Sequence, residues 1–198
     1  MFLNKELKLL LQEAESTMKP FISKLQNNSK IIDIGCGRCI SALVCLKNKN
    51  LNIVCIDNSE KMLSNPFINK EHPTVEIIYD DFFAREFIAH SFDGAIMRAF
   101  IHLFPLDILK NTLFPKVKKL IKRDGLIHLS TSLHSEYKEG FEYKQGGKGN
   151  RYRIRFTQEI LEDLLKEYFI ISDLVKSEEI TDKNNPKTWV SYTLVNKP

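Results

Sequence analysis

Two rhythms of apolar residues divide this chain. Residues 31–34 form a short apolar run broken only by Asp33, and residues 51–56 form a second that ends at Asp57. Continuous apolar runs of this length suit strands covered on both faces, as in a parallel sheet. Between them stand Gly35 and Gly37, followed by a helix-length segment. The spacing therefore predicts a strand, a glycine turn, a helix and a parallel strand closing on an acid. Further strands are predicted over 75–79, 95–97, 126–130, 169–171 with 174–175, and 189–195. The other rhythm is helical. Residues 2–14 carry Phe2, Leu3, Leu7, Leu9, Leu10 and Leu11 as an amphipathic helix. Ser16 or Thr17 is placed to cap a second one through Phe21, Ile22 and Leu25. These N-terminal helices either cover a pocket or pack against the sheet.

Downstream, Asn58 and Ser59 are helix-start residues before Met62 and Leu63, and Pro66 limits that helix. Residues 105–122 read as one helix, with Leu106, Leu109, Leu113, Val117 and Leu120 on one face. Lys116, Lys118, Lys119 and Lys122 fall largely off it and read as a solvated face. Residues 122–125 are a turn. Residues 131–150 are polar and bear Gly140, Gly146, Gly147 and Gly149, which predicts an irregular loop. Arg151, Arg153 and Arg155 then alternate with Tyr152, Ile154 and Phe156, so an extended backbone places the arginines on one face and the apolar residues on the other. Thr157 is the N-cap of a last helix carrying Ile160, Leu161, Leu164 and Leu165, and residues 182–186 form a turn before the final strand.

Alternating strands and helices predict an α/β fold: a doubly wound, Rossmann-like, seven-stranded and mostly parallel sheet with an antiparallel C-terminal strand and helices on both faces. A chain of 198 residues fits one domain over 1–198, with 1–28 as an N-terminal helical cap and 131–156 as a substrate lid on the ligand edge. A net charge of +4 is only mildly basic, which suits a small anionic partner better than a nucleic acid. No apolar run approaches the ~20 residues of a membrane span, and Lys5, Glu6 and Lys8 interrupt the N-terminal pattern, so no leader core is expected. The expectation is a cytoplasmic chain. Its cysteines, Cys36, Cys39, Cys45 and Cys55, all fall in the first strand-helix-strand unit. Cys36 and Cys39 have Cys-x-x-Cys spacing, but no second Cys/His pair stands at ligand spacing. No metal is expected, and the thiols read as small, buried and reduced.

The glycine turn narrows the ligand. The dinucleotide pattern Gly-x-Gly-x-x-Gly fails at Ile40. Asp33-x-Gly35-x-Gly37-x-Cys39 instead resembles motif I of the class I S-adenosylmethionine-dependent methyltransferases, with Cys39 where that family usually has glycine. Ser59-x-x-Met62-Leu63, the acidic end of the third strand at Asp80, Asp81 and Phe82, and Phe92-Asp93 before the fourth strand resemble the same family. The residues after that strand, Ile101 to Pro105, resemble the His-bearing loop of members that act on small molecules. The resemblance spans residues 29–195 and is best over 31–105.

The resemblance implies methyl transfer from S-adenosylmethionine to a small acceptor. By the family pattern, Asp33 would hold the cofactor's amino group, while Gly35, Cys36 and Gly37 pass beside its methionine part. Asp57 would take the ribose hydroxyls. Asp81 and Phe82 would take the adenine, and Arg98 the cofactor carboxylate or the substrate; Asn58 and Met62 are further cofactor-binding candidates. His102 is the first candidate for a general base, because it follows the fourth strand on the ligand edge; His134 and Tyr137 follow the fifth. The arginine row suggests an anionic acceptor held by Arg151 and Arg153, with Tyr143 nearby, since guanidinium forks bind carboxylate and phosphate bidentately. An exposed edge strand protected by charge accounts for the row equally well. Two other functions stay open: a methyltransferase acting on tRNA or protein, and a non-catalytic nucleoside-binding or scaffolding domain, for which Cys39 is the main argument. Oligomeric state is left open by the sequence.

Overall fold

The centre of the molecule is β1 (Lys30–Ile34), flanked by β2 (Asn52–Asp57) and β4 (Phe92–Arg98) in a computed structural model that describes residues 5–64, 66–69, 71–143, 150–179 and 187–197. With β3 (Val75–Tyr79), β5 (Ile121–Leu133), β8 (Phe169–Glu179) and β9 (Lys187–Asn196) they form a seven-stranded sheet in the order β3-β2-β1-β4-β5-β9-β8. Pairing is parallel from β3 to β5, while β9 runs antiparallel to both β5 and β8. This is the predicted sheet. The order reverses beside β1, which opens a crevice at the carboxyl ends of β1 and β4.

Alternation along β1 sorts its side chains. Ile32 and Ile34 join the core on one face, with Val54, Ala95 and Met97. Ile31 faces the other core, with Ile53, Cys55 and Ile96, so Asp33 also points to that side. The second core is closed by α1 (Lys5–Lys24) and α2 (Ile40–Asn48).

Several elements differ from their sequence rhythm. α1 is one helix and not two. Its buried positions Leu11, Ala14, Met18, Phe21 and Ile22 recur at helical spacing straight through the expected cap. Thr17, inside the helix, donates its hydroxyl to the Glu13 carbonyl at 2.9 Å instead of capping. The helix expected over 105–122 is broken into α4 (Leu106–Ile108), a π turn (Leu109–Leu113) and α5 (Phe114–Leu120). Pro115 has no N–H for the carbonyl four residues back, and just before it Phe114 N–H reaches the Leu109 carbonyl, five back. The turn at 122–125 lies within β5 as an irregularity against β4, with Asp124 at φ +59°.

The expected loop over 131–150 is instead the first half of a hairpin. β6 (Lys138–Tyr143) pairs antiparallel with β7 (Asn150–Arg155) in a separate two-stranded sheet. Loop composition misleads here because the pairing partner lies beyond the glycines. Gly146, Gly147 and Gly149, the turn at 182–186, and Phe2 and Leu3 lie outside the described residues. The alternation in β7 holds: Ile154 and the following Phe156 are buried, while Arg151 is exposed and Arg153 and Arg155 half-exposed. α6 (Gln158–Tyr168) starts as expected, with the Thr157 hydroxyl accepting from Ile160 N–H.

Candidate functional site

The loop from β1 to α2 takes left-handed backbone at alternate residues: Gly35 at φ +67°, Gly37 at +55° and Cys39 at +61°. This geometry is easy for glycine and costs other residues about 1–2 kcal/mol. Gly35 has a second reason to lack a side chain, since a Cβ there would lie 2.2 Å from the Phe100 ring. Cys39 accepts the strained backbone, and its side chain is fully buried in the α1–α2 core, away from the crevice.

One carboxylate ties the loops together. Asp57 Oδ2 accepts from Gly37 N–H and Oδ1 from Ser59 N–H, both at 2.8 Å. Two of its roughly four acceptor positions are used, so the rest are available to a ligand's hydroxyls. Asp33 is buried to 1% exposure, and its Oδ2 has no hydrogen-bond partner among the described residues. Burial, then the neighbouring Cys39, push its pKa well above the usual carboxylate range, while Arg98 pulls the other way. Arg98, at the end of β4, donates from Nη2 to Glu13 Oε2 at 2.8 Å, and its buried Nε has no hydrogen-bond partner among the described residues.

These groups line a cavity of about 970 Å³. All ten expected cofactor residues stand on its wall: Asp33, Gly35, Cys36, Gly37, Asp57, Asn58, Met62, Asp81, Phe82 and Arg98. At the β3 end, Asp80 is occupied by Arg85 at 2.9 Å, which holds its pKa below the usual range. Asp81 Oδ1 accepts from Phe83 N–H at 2.9 Å and stays exposed. Phe82 is buried beside it, and Phe83 meets Phe104 edge-on.

The candidates for acceptor chemistry are not on this wall. His102 sits on a 3₁₀ turn (Ile101–Leu103) with its Nδ1 3.3 Å from Thr131 Oγ1; its neighbours Leu103 and Phe104 line the cavity. His134 Nε2 lies 3.1 Å from Ser132 Oγ. Tyr137 is exposed, and burial of its hydroxyl followed by Glu139 pushes its pKa up to about 12. Tyr143, Arg151 and Arg153 belong to the hairpin, where Tyr143 is exposed and burial lowers the Arg153 pKa. Among the described residues, none of these six lines the cavity.

Other wall residues escape the sequence pattern. Arg38 lies over the Phe67 ring, 3.7 Å from its centroid, and Phe100, Phe104 and Leu10 complete the apolar lining. Arg38 is inside the glycine turn and so within reach of motif reasoning, but its partner 29 positions on is not. Lys116, expected on a solvated face, donates to the Phe83 and Arg85 carbonyls at 2.9 and 2.8 Å and braces the β3 end of the site.

Residues 31–125 match the family model described as a methyltransferase domain. A SAM-dependent methyltransferase from Methanosarcina mazei superposes with a TM-score of 0.73 at 19% identity, covering 90% of this chain and 97% of its own. The 1,6-didemethyltoxoflavin-N1-methyltransferase of Burkholderia thailandensis, solved with 1,6-didemethyltoxoflavin and S-adenosylhomocysteine, gives 0.71 at 16% identity, covering 95% of this chain and 78% of its own. Phosphoethanolamine N-methyltransferase 2 of Haemonchus contortus, solved with phosphomonomethylethanolamine and S-adenosylhomocysteine, gives 0.66 at 16% identity, with 94% of this chain on 53% of its own. No curated protein sequence matches the chain. At these identities structural likeness speaks to fold. Residues 31–125, the glycine loop among them, are similar to methyltransferase domains, and the chain has the fold of these S-adenosylmethionine-dependent methyltransferases.

Proposed function

We propose that this chain binds S-adenosylmethionine in the cavity at the carboxyl edge of β1 and transfers its methyl group to a small-molecule acceptor. The observation that carries this reading is the unpartnered, buried carboxylate oxygen of Asp33 on the cavity wall. Burying such an oxygen without a partner costs a few kcal/mol, and the cofactor's ammonium is the partner it lacks. The other residues present fit the same group. Asp57 has acceptor capacity for a ribose diol, Asp81 and Phe82 offer a carboxylate and an aromatic face to a purine, and Arg98 offers guanidinium N–H groups to a carboxylate. Cys39 leaves the cavity clear, which removes the main argument for a domain that has lost its site.

When bound, the cofactor supplies an electrophilic methyl group on a sulfonium. The protein's contribution is placement and exclusion of water. Asp57 holds the turn at Gly37 against the loop after β2, and Phe100 sets the depth of the crevice through its contact with Gly35. Phe83, Phe100 and Phe104 add an apolar stretch to the wall, which suits a reaction whose charge disperses on the way to products. About 970 Å³ is at the upper end for one small-ligand site and leaves room for an acceptor beside the cofactor.

The acceptor is read as small and anionic, on a chain taken as a single domain. The relatives solved with toxoflavin and phosphoethanolamine derivatives carry small acceptors on this fold. Arg151 and Arg153 lie on the hairpin whose strand β7 packs against the 3₁₀ turn at the cavity rim. On this reading they take the acceptor's anionic group, and His102 on that turn takes a proton where the nucleophile is a hydroxyl. The test is transfer of labelled methyl from S-adenosylmethionine to pooled small acids, amines and phosphates, beside pooled tRNA and protein. Label appearing in small anionic compounds is the expected result; label confined to RNA or protein would overturn the assignment.

A further inference from the structure

Sequence spacing pairs only Cys36 with Cys39. The fold adds a third thiol from the neighbouring strand, since Cys55 on β2 lies two residues before Asp57 and beneath the glycine turn. The sulfurs of Cys36, Cys39 and Cys55 all lie within 4.8 Å of one another, and those of Cys36 and Cys39 are 3.9 Å apart. All three are free thiols with 9% exposure or less. Two sulfurs bound to one ion at about 2.3 Å stand roughly 3.8–4.0 Å apart for tetrahedral or trigonal angles. A disulfide would need them at about 2.05 Å. The pair is thus at chelate spacing and far from bonding distance. Cys39 also holds left-handed backbone at φ +61° to put its sulfur there. A strained non-glycine residue in a ligand loop is a reason to look for a function.

We propose that Cys36, Cys39 and Cys55 form a binding site for one thiophilic d¹⁰ cation, zinc or monovalent copper. Thiolate donors select these ions, and among the described residues no imidazole or carboxylate joins the group. Binding breaks three S–H bonds, forms three sulfur–metal bonds and releases up to three protons to the buffer. Cys36 also lines the cavity, which gives an ion a path to the three sulfurs. The bound ion cross-links the glycine turn to β2 and stiffens the segment whose Gly37 N–H is held by Asp57.

The test uses the full chain, stripped of metal and reduced with a phosphine. It is titrated with zinc, and separately with monovalent copper, against a chromophoric chelator; cadmium serves as a spectroscopic probe. The expected result is one ion per chain, a thiolate-to-cadmium charge-transfer band and a raised thermal midpoint. Cys39→Gly suits its left-handed backbone and should fold; it should weaken binding at least tenfold, as should Cys55→Ser. Cys45→Ala, outside the triangle, should bind as the parent does. The tighter of zinc and copper identifies the ion. Binding of neither at one equivalent, or unchanged affinity in Cys39→Gly, would overturn the site. The readout does not involve methyl transfer.

Discussion

Asp57 does two jobs with one side chain, accepting from Gly37 N–H and Ser59 N–H while keeping free lone pairs toward the cavity. Asp33 does the reverse, buried with an oxygen unpaired. Its raised pKa sets a sign. The folded, ligand-free protein keeps a proton that the unfolded chain gives up, so ionising Asp33 costs stability as pH rises through that range. A cationic ligand group reverses this. Cofactor binding should therefore release a proton below the raised pKa, seen as a dependence of the calorimetric heat on buffer ionisation enthalpy that Asp33→Asn abolishes. Equal heats in all buffers would count against the Asp33 contact. At Gly35, alanine meets both a positive φ and the Phe100 ring at 2.2 Å. Urea unfolding of Gly35→Ala should show a loss of about 2–4 kcal/mol, from left-handed strain and overpacking; a loss within 0.5 kcal/mol would mean that Phe100 simply moves. The residues of the cavity wall are legible because the geometry of this edge is local. Most stand at or just after the carboxyl end of a strand that its own apolar run announces.

Elements were less legible where their partners are distant. The α1 rhythm shows a helix, but its burial comes from the sheet and α2, so the apparent cap at Thr17 was overridden by packing. α1 packs against the sheet, and it also places Leu10 on the cavity wall and Glu13 on Arg98. The β6–β7 hairpin was hidden by its glycines and by a pairing that closes across them. Its row of arginines was readable from alternation, but its place beside the 3₁₀ turn was not, because no periodicity reports which element a hairpin packs on. The acceptor role is tested at this scale. Replacing Arg151 and Arg153 together by alanine should raise the acceptor KM several-fold and leave cofactor affinity unchanged. An unchanged KM would assign the row to edge protection. Arg155 is left out, since it pairs with Glu142 at 2.7 Å across the hairpin.

The molecule as a whole carries a pH liability in its core. His128, on β5, is fully buried against Phe21, and neither ring nitrogen has a hydrogen-bond partner among the described residues. Burial, with Arg98 second, lowers its pKa from 6.5 to about 3. The unfolded chain takes up a proton below pH 6.5 that the folded chain refuses until about pH 3, so stability is full above 6.5 and is lost progressively across that window. At about 1.4 kcal/mol per unit the loss reaches several kcal/mol. Urea midpoints should fall steadily from pH 6.5 to 4 and fall markedly less in His128→Leu; parallel curves would place the acid sensitivity elsewhere. The seven-stranded order, by contrast, was within reach of the sequence, because uninterrupted apolar runs alternating with helical ones admit few topologies.

The most direct test of the central claim is calorimetric titration of the full chain with S-adenosylmethionine and S-adenosylhomocysteine, with Asp57→Ala as control and NAD as a competing ligand class. One site per chain with affinity on the order of micromolar, no competition from NAD, and loss of binding in Asp57→Ala are the expected results. No binding of either ligand, or binding that Asp57→Ala leaves intact, would contradict it.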